Sequence, residues 1–170
     1  RLAFRVKHAD ADSRLRFGEL EYWTGGRDWQ VPARFIAHPP GKTLPIANII
    51  GTTDAVPNPG ALEFGMGGKT FRLEALDEGG DTLFLVFADR TSGHGSYGAG
   101  RFIDVPRPDA QGRVVIDFNQ AYNPPCAFTD FATCPLPPPE NRLDLAVQAG
   151  EREYHRPAPE APATTTKETP

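Results

Sequence analysis

Apolar and polar positions alternate along most of the chain, and the alternation has the period of a strand rather than a helix. Leu2, Phe4 and Val6 alternate with Arg5 and Lys7, which predicts a half-buried first strand. Arg14 to Glu21 reads as a short helical turn, broken by Gly25 and Gly26. Between Trp29 and His38 the apolar Val31, Ala33 and Phe35 share a face, while Pro32, with no N–H to donate, moves that strand towards a sheet edge. Pro39-Pro40-Gly41 ends it. Thr43 to Thr53 is a further extended segment, and Pro57-Asn58-Pro59-Gly60 is a turn signal. Leu62, Phe64 and Met66, then Phe71, Leu73 and Ala75, alternate about Gly67-Gly68, the pattern of a hairpin. After Gly79-Gly80, the run from Leu83 to Phe87 is apolar on both faces, as a strand covered on both sides should be.

Arg101 to Val105 and Arg113 to Phe118 read as another antiparallel pair. If Val105 and Arg113 flank the turn, Ile103 faces Val115 and Arg101 faces Asp117, with Phe102, Val114, Ile116 and Phe118 towards the core. Ala121 to Pro139 is irregular, and Leu143, Leu145 and Val147 suggest a last strand. The expected fold is all-β: a single antiparallel β-barrel or sandwich of about eight short strands, with a long Pro-rich loop and an extended C-terminal tail. Residues 1–154 form the β-rich domain, and 155–170 a Pro/Ala/Thr tail without its own fold. A tail of that composition cannot fold alone, which points to a protein partner and a larger assembly.

Composition narrows the classes. A chain of 170 residues with 39% hydrophobic content can bury one core. A net charge of -4 and a pI near 5.6 argue against nucleic acid, which selects basic surfaces. The longest apolar run, Leu83 to Ala88, has strand length, so no transmembrane segment is expected in the chain itself.

Candidate chemistry is concentrated between Asp89 and Asn141. Asp89, His94, Tyr97, Arg101, Asp117 and Asn119 are the candidate ligand-binding set. An Arg opposite an Asp is either a structural ion pair or a device that aims a guanidinium at an anion. Asp89 and Asp117 are a possible acid–base pair, although solvated or capping carboxylates are the commoner outcome. His94 lies among Gly93, Gly95, Gly98 and Gly100, but this loop fits neither phosphate-binding glycine pattern and reads better as a tight connection. His94 with Ser96 is no nucleophilic triad. No catalytic residue and no cofactor is expected. Cys126 and Cys134 are too few for a thiolate metal site; a disulfide between them, two reduced thiols, or a mixed metal site remain open, with the disulfide simplest. A disulfide closing that short loop stabilises by about 2.6 kcal/mol and belongs to an oxidising compartment. Asn123-Pro124-Pro125 and Pro135 to Pro139 fix extended backbone, which suits partner docking or closure of a barrel end equally.

The runs A-Y-N-P-P-C-A-F-T, A-T-C-P-L-P-P-P-E-N-R-L and A-G-E, with D-R-T-S-G, Y-G-A-G-R-F and I-D-F-N, resemble the DUF1684 family over roughly Arg1 to Glu151. The resemblance implies no assigned activity. Family members usually carry a further N-terminal segment and are often expected to be exported or lipid-anchored, so it implies an extracytoplasmic location, periplasmic or secreted, and a membrane association through a partner or a missing N-terminal anchor. The leading functional expectation is a non-catalytic accessory subunit docked on a larger, membrane-bound or soluble assembly through its Pro-rich loop and C-terminal tail. The alternatives are a small-ligand-binding β-barrel and an enzyme with a polar site around Asp89, Arg101 and Asp117.

Overall fold

The computed structural model describes residues 8–156. The expected first strand, Leu2 to Lys7, and tail residues 157–170 lie outside them. Leu20–Tyr154 is one compact unit. Among residues 8–19 the regular structure is one helical turn, α1, Asp12–Leu15.

The compact unit holds β1 (Gln30–Ala37), β2 (Thr43–Ala47), β3 (Thr53–Pro57), β4 (Gly60–Met66), β5 (Lys69–Ala75), β6 (Thr82–Phe87), β7 (Arg101–Pro106) and β8 (Arg113–Asp117). They form one antiparallel sheet in the order β5-β4-β1-β8 and two antiparallel pairs, β2–β3 and β6–β7. The all-β antiparallel expectation therefore stands. The β4–β5 hairpin is the one its alternation predicts, with Leu62 opposite Leu73 and Phe64 opposite Phe71. Gly67 and Gly68 turn it with φ of 57° and 75°, the double positive φ of a type I′ turn.

Four expectations need correction. β1 is an internal strand, not an edge. It tolerates Pro32 because its ladder with β4 begins only at Ala33, so at Pro32 the strand has β8 alone as a neighbour. Thr43 to Thr53 is not one extended segment but the β2–β3 hairpin. Asn48 turns the chain, its Oδ1 accepting from the N–H groups of Ile50 and Thr52.

The third correction concerns β7 and β8, which form no ladder with each other. β7 pairs with β6, putting Arg101 opposite Phe87, and β8 pairs with β1, putting Asp117 opposite Gln30. Exposure explains why. Arg101, Phe102 and Ile103 are consecutive and all buried, so β7 belongs to a layer covered on both faces, whereas β8 alternates buried and exposed like a strand covered on one. The Arg101–Asp117 pairing is thus overturned.

The fourth is the expected last strand, Leu143 to Val147, which has no ladder. Leu143, Val147 and Ala149 are buried in the core. The carbonyls of Val147 and Ala149 accept hydrogen bonds from the Arg101 guanidinium instead of from a neighbouring strand.

Two cores share the β6–β7 layer. The larger gathers the inner faces of β1, β4, β5, β6, β7 and β8, with Phe118 wedged among Trp29, Phe64 and Phe87. The smaller lies on the other face of β6–β7, where Phe84, Val86 and Phe102 meet Leu44 and Ile46 of β2 together with Cys126 and Cys134. The six strands around the larger core do not close a barrel among the described residues. β7 and β8 adjoin without a ladder, and β5 and β6 meet through a bridge at Leu76 and Phe84. Asn141 closes that second seam. Its Nδ2 donates to the carbonyls of Glu74 on β5 and Val86 on β6, and its Oδ1 accepts from Glu74 N–H.

Candidate functional site

Asp89 lies two residues past β6 and Arg101 opens β7, so the hairpin sets their side chains on one end of the larger core. Arg101 Nη2 donates to Asp89 Oδ2 at 3.0 Å and to Val147 O at 2.9 Å, while Nη1 donates to Ala149 O at 2.5 Å and Glu151 O at 3.1 Å. Its guanidinium also lies 5.4 Å from the centre of the Phe87 ring. Burial lowers the Arg101 pKa from its ordinary value, and the charges of Asp89 and Glu151 act against that. The other Asp89 oxygen accepts from the Thr91 N–H and hydroxyl and from Val147 N–H. The Thr91 and Ser96 hydroxyls lie 2.8 Å apart, and Trp23 Nε1–H donates to Ser96 Oγ at 2.9 Å. This connected, buried network clamps the glycine loop and residues 147–151 to the hairpin. A broad, open depression of about 410 Å³ passes over the Asp89 backbone, but it presents Arg90, Arg142 and Asp144, not the Asp89 carboxylate.

The structure does not gather the rest of the predicted set there. His94 is exposed on the glycine loop, its Nδ1 3.2 Å from Ser92 O. Tyr97 is half-buried against the smaller core. Asp117 and Asn119 belong to a separate network, at the end of β8. Asp117 accepts from Asn119 N–H and Nδ2 and from Gln30 Nε2, capping the 3₁₀ turn Phe118–Gln120. Asn119 in turn holds Gly26 through both backbone groups. Burial would raise the Asp117 carboxyl, but these donors outweigh it and leave it below its ordinary value. Asp89 and Asp117 share no partner in these networks.

The proline loop is pinned at both ends. Asn123 N–H donates to Glu151 Oε2 and its Nδ2 to Arg152 O. Farther on, Ile49 N–H donates to Cys134 O and Leu136 N–H to Ala47 O, so the β2–β3 turn and the loop form one unit. Cys126 and Cys134 stand in the structure as buried thiols, with Cys126 N–H donating to Cys134 Sγ at 3.1 Å. Burial, together with the Cys126 side chain, pushes the Cys134 thiol up to about 12, against the Cys126 N–H, which favours the thiolate. On the outside of this unit, Phe131 is 97% exposed, with Ile50 at 60% and Ile49 at 43%.

One polar cluster has no sequence signal. His38 Nε2 lies 2.7 Å from Glu74 Oε2 and 3.0 Å from Lys42 Nζ, and Arg72 reaches the other Glu74 oxygen at 3.2 Å. Burial would raise the Glu74 carboxyl, but hydrogen bonds from His38 and Asn58 and the charges of His38 and Arg72 hold it below its ordinary range. The cluster borders a cleft of about 260 Å³ between the Pro39-Pro40-Gly41 turn and the Pro57-Asn58-Pro59 turn. His38 and Lys42 are four residues apart across a turn, but Glu74 joins them only through the β1–β4–β5 sheet, which no spacing in the sequence reports.

Three comparisons place the chain. No curated protein matches it. The solution NMR structure of an uncharacterized protein from Haloarcula marismortui matches with a TM-score of 0.65 and 34% identity, over 82% of this chain and 78% of that one. The family model described as a protein of unknown function, DUF1684, matches residues 15–152. The runs that mark the resemblance hold the braces just described: Asp89, Arg101, Asn123, Asn141 and the carbonyls of the A-G-E segment. The chain belongs to the DUF1684 family.

Proposed function

We propose that this chain is a non-catalytic accessory β-domain that docks on an apolar protein surface of a larger extracytoplasmic assembly. The observation that carries this reading is the exposed trio Ile49, Ile50 and Phe131 on two loops fastened to each other. Backbone hydrogen bonds fasten the loop that carries Phe131, so docking it loses little backbone entropy. A large aromatic side chain entering a partner's pocket is the common form of an interface anchor. Support also comes from the other side: Asp89, Arg101, Asp117 and Asn119 are engaged in bracing loops, not in lining an open site. The extracytoplasmic part rests on the adjacent thiols, which a disulfide would join in an oxidising compartment.

The test is site-specific photo-crosslinking in the native cell, with the reactive side chain at position 131 or 50 and, as control, at the exposed Val115 of β8. The expected result is one discrete heteromeric product from 131 and 50 and none from 115. No product, or the same products from all three positions, overturns the docking reading.

A further inference from the structure

We infer that β3 is a docking edge, to which a partner adds a short extended segment with a Lys or Arg opposite Asp54. The inference rests on the docking reading above and names the form of the partner. At the two ends of the β2–β3 hairpin, Asn58 N–H donates to Lys42 O and Asn48 N–H to Thr52 O. Hydrogen-bonded and non-bonded pairs alternate along an antiparallel ladder. Between those ends, therefore, Leu44 with Val56 and Ile46 with Asp54 exchange the bonds, and the N–H and C=O groups of Thr53 and Ala55 point away from β2.

That outer side is open. Pro57 also points outward, and its carbonyl is taken by Asp77 N–H. Thr53 and Ala55 have no corresponding backbone partner among the described residues, and Thr53, Asp54 and Ala55 are all exposed. β2 is closed by contrast. Its outward Pro45 has no N–H, and its outward Ala47 carbonyl accepts from Leu136 of the proline loop. From Thr53 to Ala55, β3 carries no proline, no lysine and, among the described residues, no covering strand, the usual means of blunting an edge. The outward N–H and C=O groups of its two residues match those of an incoming strand. The turn that leads into β3 holds Ile49 and Ile50, so the edge continues the exposed apolar trio.

A second copy of this chain fits the edge poorly. The antiparallel register that uses both residues of each copy sets Thr53 against Ala55, which brings the two Asp54 side chains directly opposite each other, like charge against like. Sliding it towards Pro57 meets the segment at Asp77, and sliding it towards the turn leaves Ala55 against Gly51. A strand of different sequence has neither fault. Its residue between those opposite Thr53 and Ala55 falls beside Asp54 on the same face. Asp54 is exposed and makes no ion pair among the described residues, so a cation at that position is favoured.

Two measurements test this. In the purified full chain, hydrogen exchange should be fast at the Thr53 and Ala55 amides and slow at those of Asp54 and Val56; protection at Thr53 and Ala55 means that the edge is already filled and overturns the inference. In the native cell, a photoreactive side chain at position 53 should give the same heteromeric product as one at position 131. Ala55→Pro removes only an outward N–H, which an edge strand tolerates, and Ala55→Ser keeps it. With the native amide spectrum retained, Ala55→Pro should cut the product from position 53 about tenfold, Asp54→Lys about as much, and Ala55→Ser not at all. Undiminished product in Ala55→Pro or in Asp54→Lys overturns the inference, and so does a product of twice the chain's mass, which puts a second copy on the edge. Product from 131 with none from 53 overturns strand addition and leaves the docking reading standing; no product from either position overturns both.

Discussion

Arg101 Nη2 lies 3.0 Å from Asp89 Oδ2 with both side chains 1% exposed, so the arginine expected to face Asp117 is a buried crosslink instead. The pair contributes less through its own attraction than through what would be left behind without it. Removing the carboxylate strands a guanidinium in the core, and that costs about 3–5 kcal/mol. Asp89→Ala should lower the urea midpoint accordingly with little change in slope. Arg101→Lys keeps the charge but cannot reach Val147, Ala149 and Glu151 at once. It should therefore destabilise too and expose the amides of residues 147–151 to hydrogen exchange.

Asn141 performs on β5 and β6 the work of a missing ladder. Its side chain makes hydrogen bonds with Glu74 N–H, Glu74 O and Val86 O, and it is fully buried. Asn141→Ala leaves those backbone groups unpaired in the interior, at about 1–3 kcal/mol for each one that water does not reach. The expected loss is at least about 3 kcal/mol. Asn141→Asp should not rescue it, because a carboxylate can only accept. Thermal unfolding of the two variants beside the wild type checks both statements.

Local alternation made much of this fold legible. The β4–β5 hairpin, the two-sided burial of β6 and the β-rich class follow from period and turn residues alone. The pairing of β7 did not, because β7 was paired across the short turn to β8, and nothing local says that β7 belongs to β6 and β8 to β1. The candidate site was legible in composition but not in arrangement. Asp89 and Arg101 stood out as polar residues in a turn-rich stretch, and their partners are largely main-chain groups, N–H for Asp89 and carbonyls for Arg101, which no sequence pattern marks. The His38–Glu74–Lys42 cluster was invisible because its members meet only through sheet register. Leu143 to Val147 looked like a strand because buried irregular backbone, satisfied by Ala88, Asp89, Arg90 and Arg101, needs the same apolar residues.

The A-G-E run has a steric reason. Gly150 adopts φ of +75°, and a Cβ there would sit 2.4 Å from Ala121 O and 2.7 Å from Ala121 Cβ. Gly93, at φ of +76°, has open space around it. Both Ala substitutions pay for a left-handed backbone, but only Gly150→Ala also drives a methyl from the segment that Arg101 holds into Ala121 and the Phe118 carbonyl. Gly93→Ala should cost about 1–2 kcal/mol. Gly150→Ala should cost distinctly more, and equal unfolding midpoints for the two would contradict this.

Glu74 makes acid stability measurable. Its folded carboxyl titrates below the ordinary 4.5, so as pH falls the unfolded chain takes up that proton first. The stability it contributes is complete above the unfolded value and is lost as pH drops through the folded one. Glu74→Gln removes this contribution. The wild type should exceed the variant in urea stability at neutral pH, and the gap should shrink steadily below 4.5. A gap that widens towards acid would mean that the sign is wrong.

The thiols set a kinetic condition on the disulfide. Exchange requires a thiolate, and burial together with the Cys126 side chain pushes Cys134 up to about 12, so almost none forms in the folded protein at ordinary pH. Both sulfurs are also buried behind the proline loop. Oxidation should therefore be slow for reduced, folded protein and fast for chains refolding in the presence of a glutathione redox couple. Intact mass after alkylation, followed over time from the two starting states, separates these cases. Once formed, the crosslink should raise stability by about 2.6 kcal/mol over the reduced form, because it removes loop freedom from the unfolded chain. Equal oxidation rates from the folded and unfolded states would mean that the loop opens readily, which would also count against a rigid platform for Phe131.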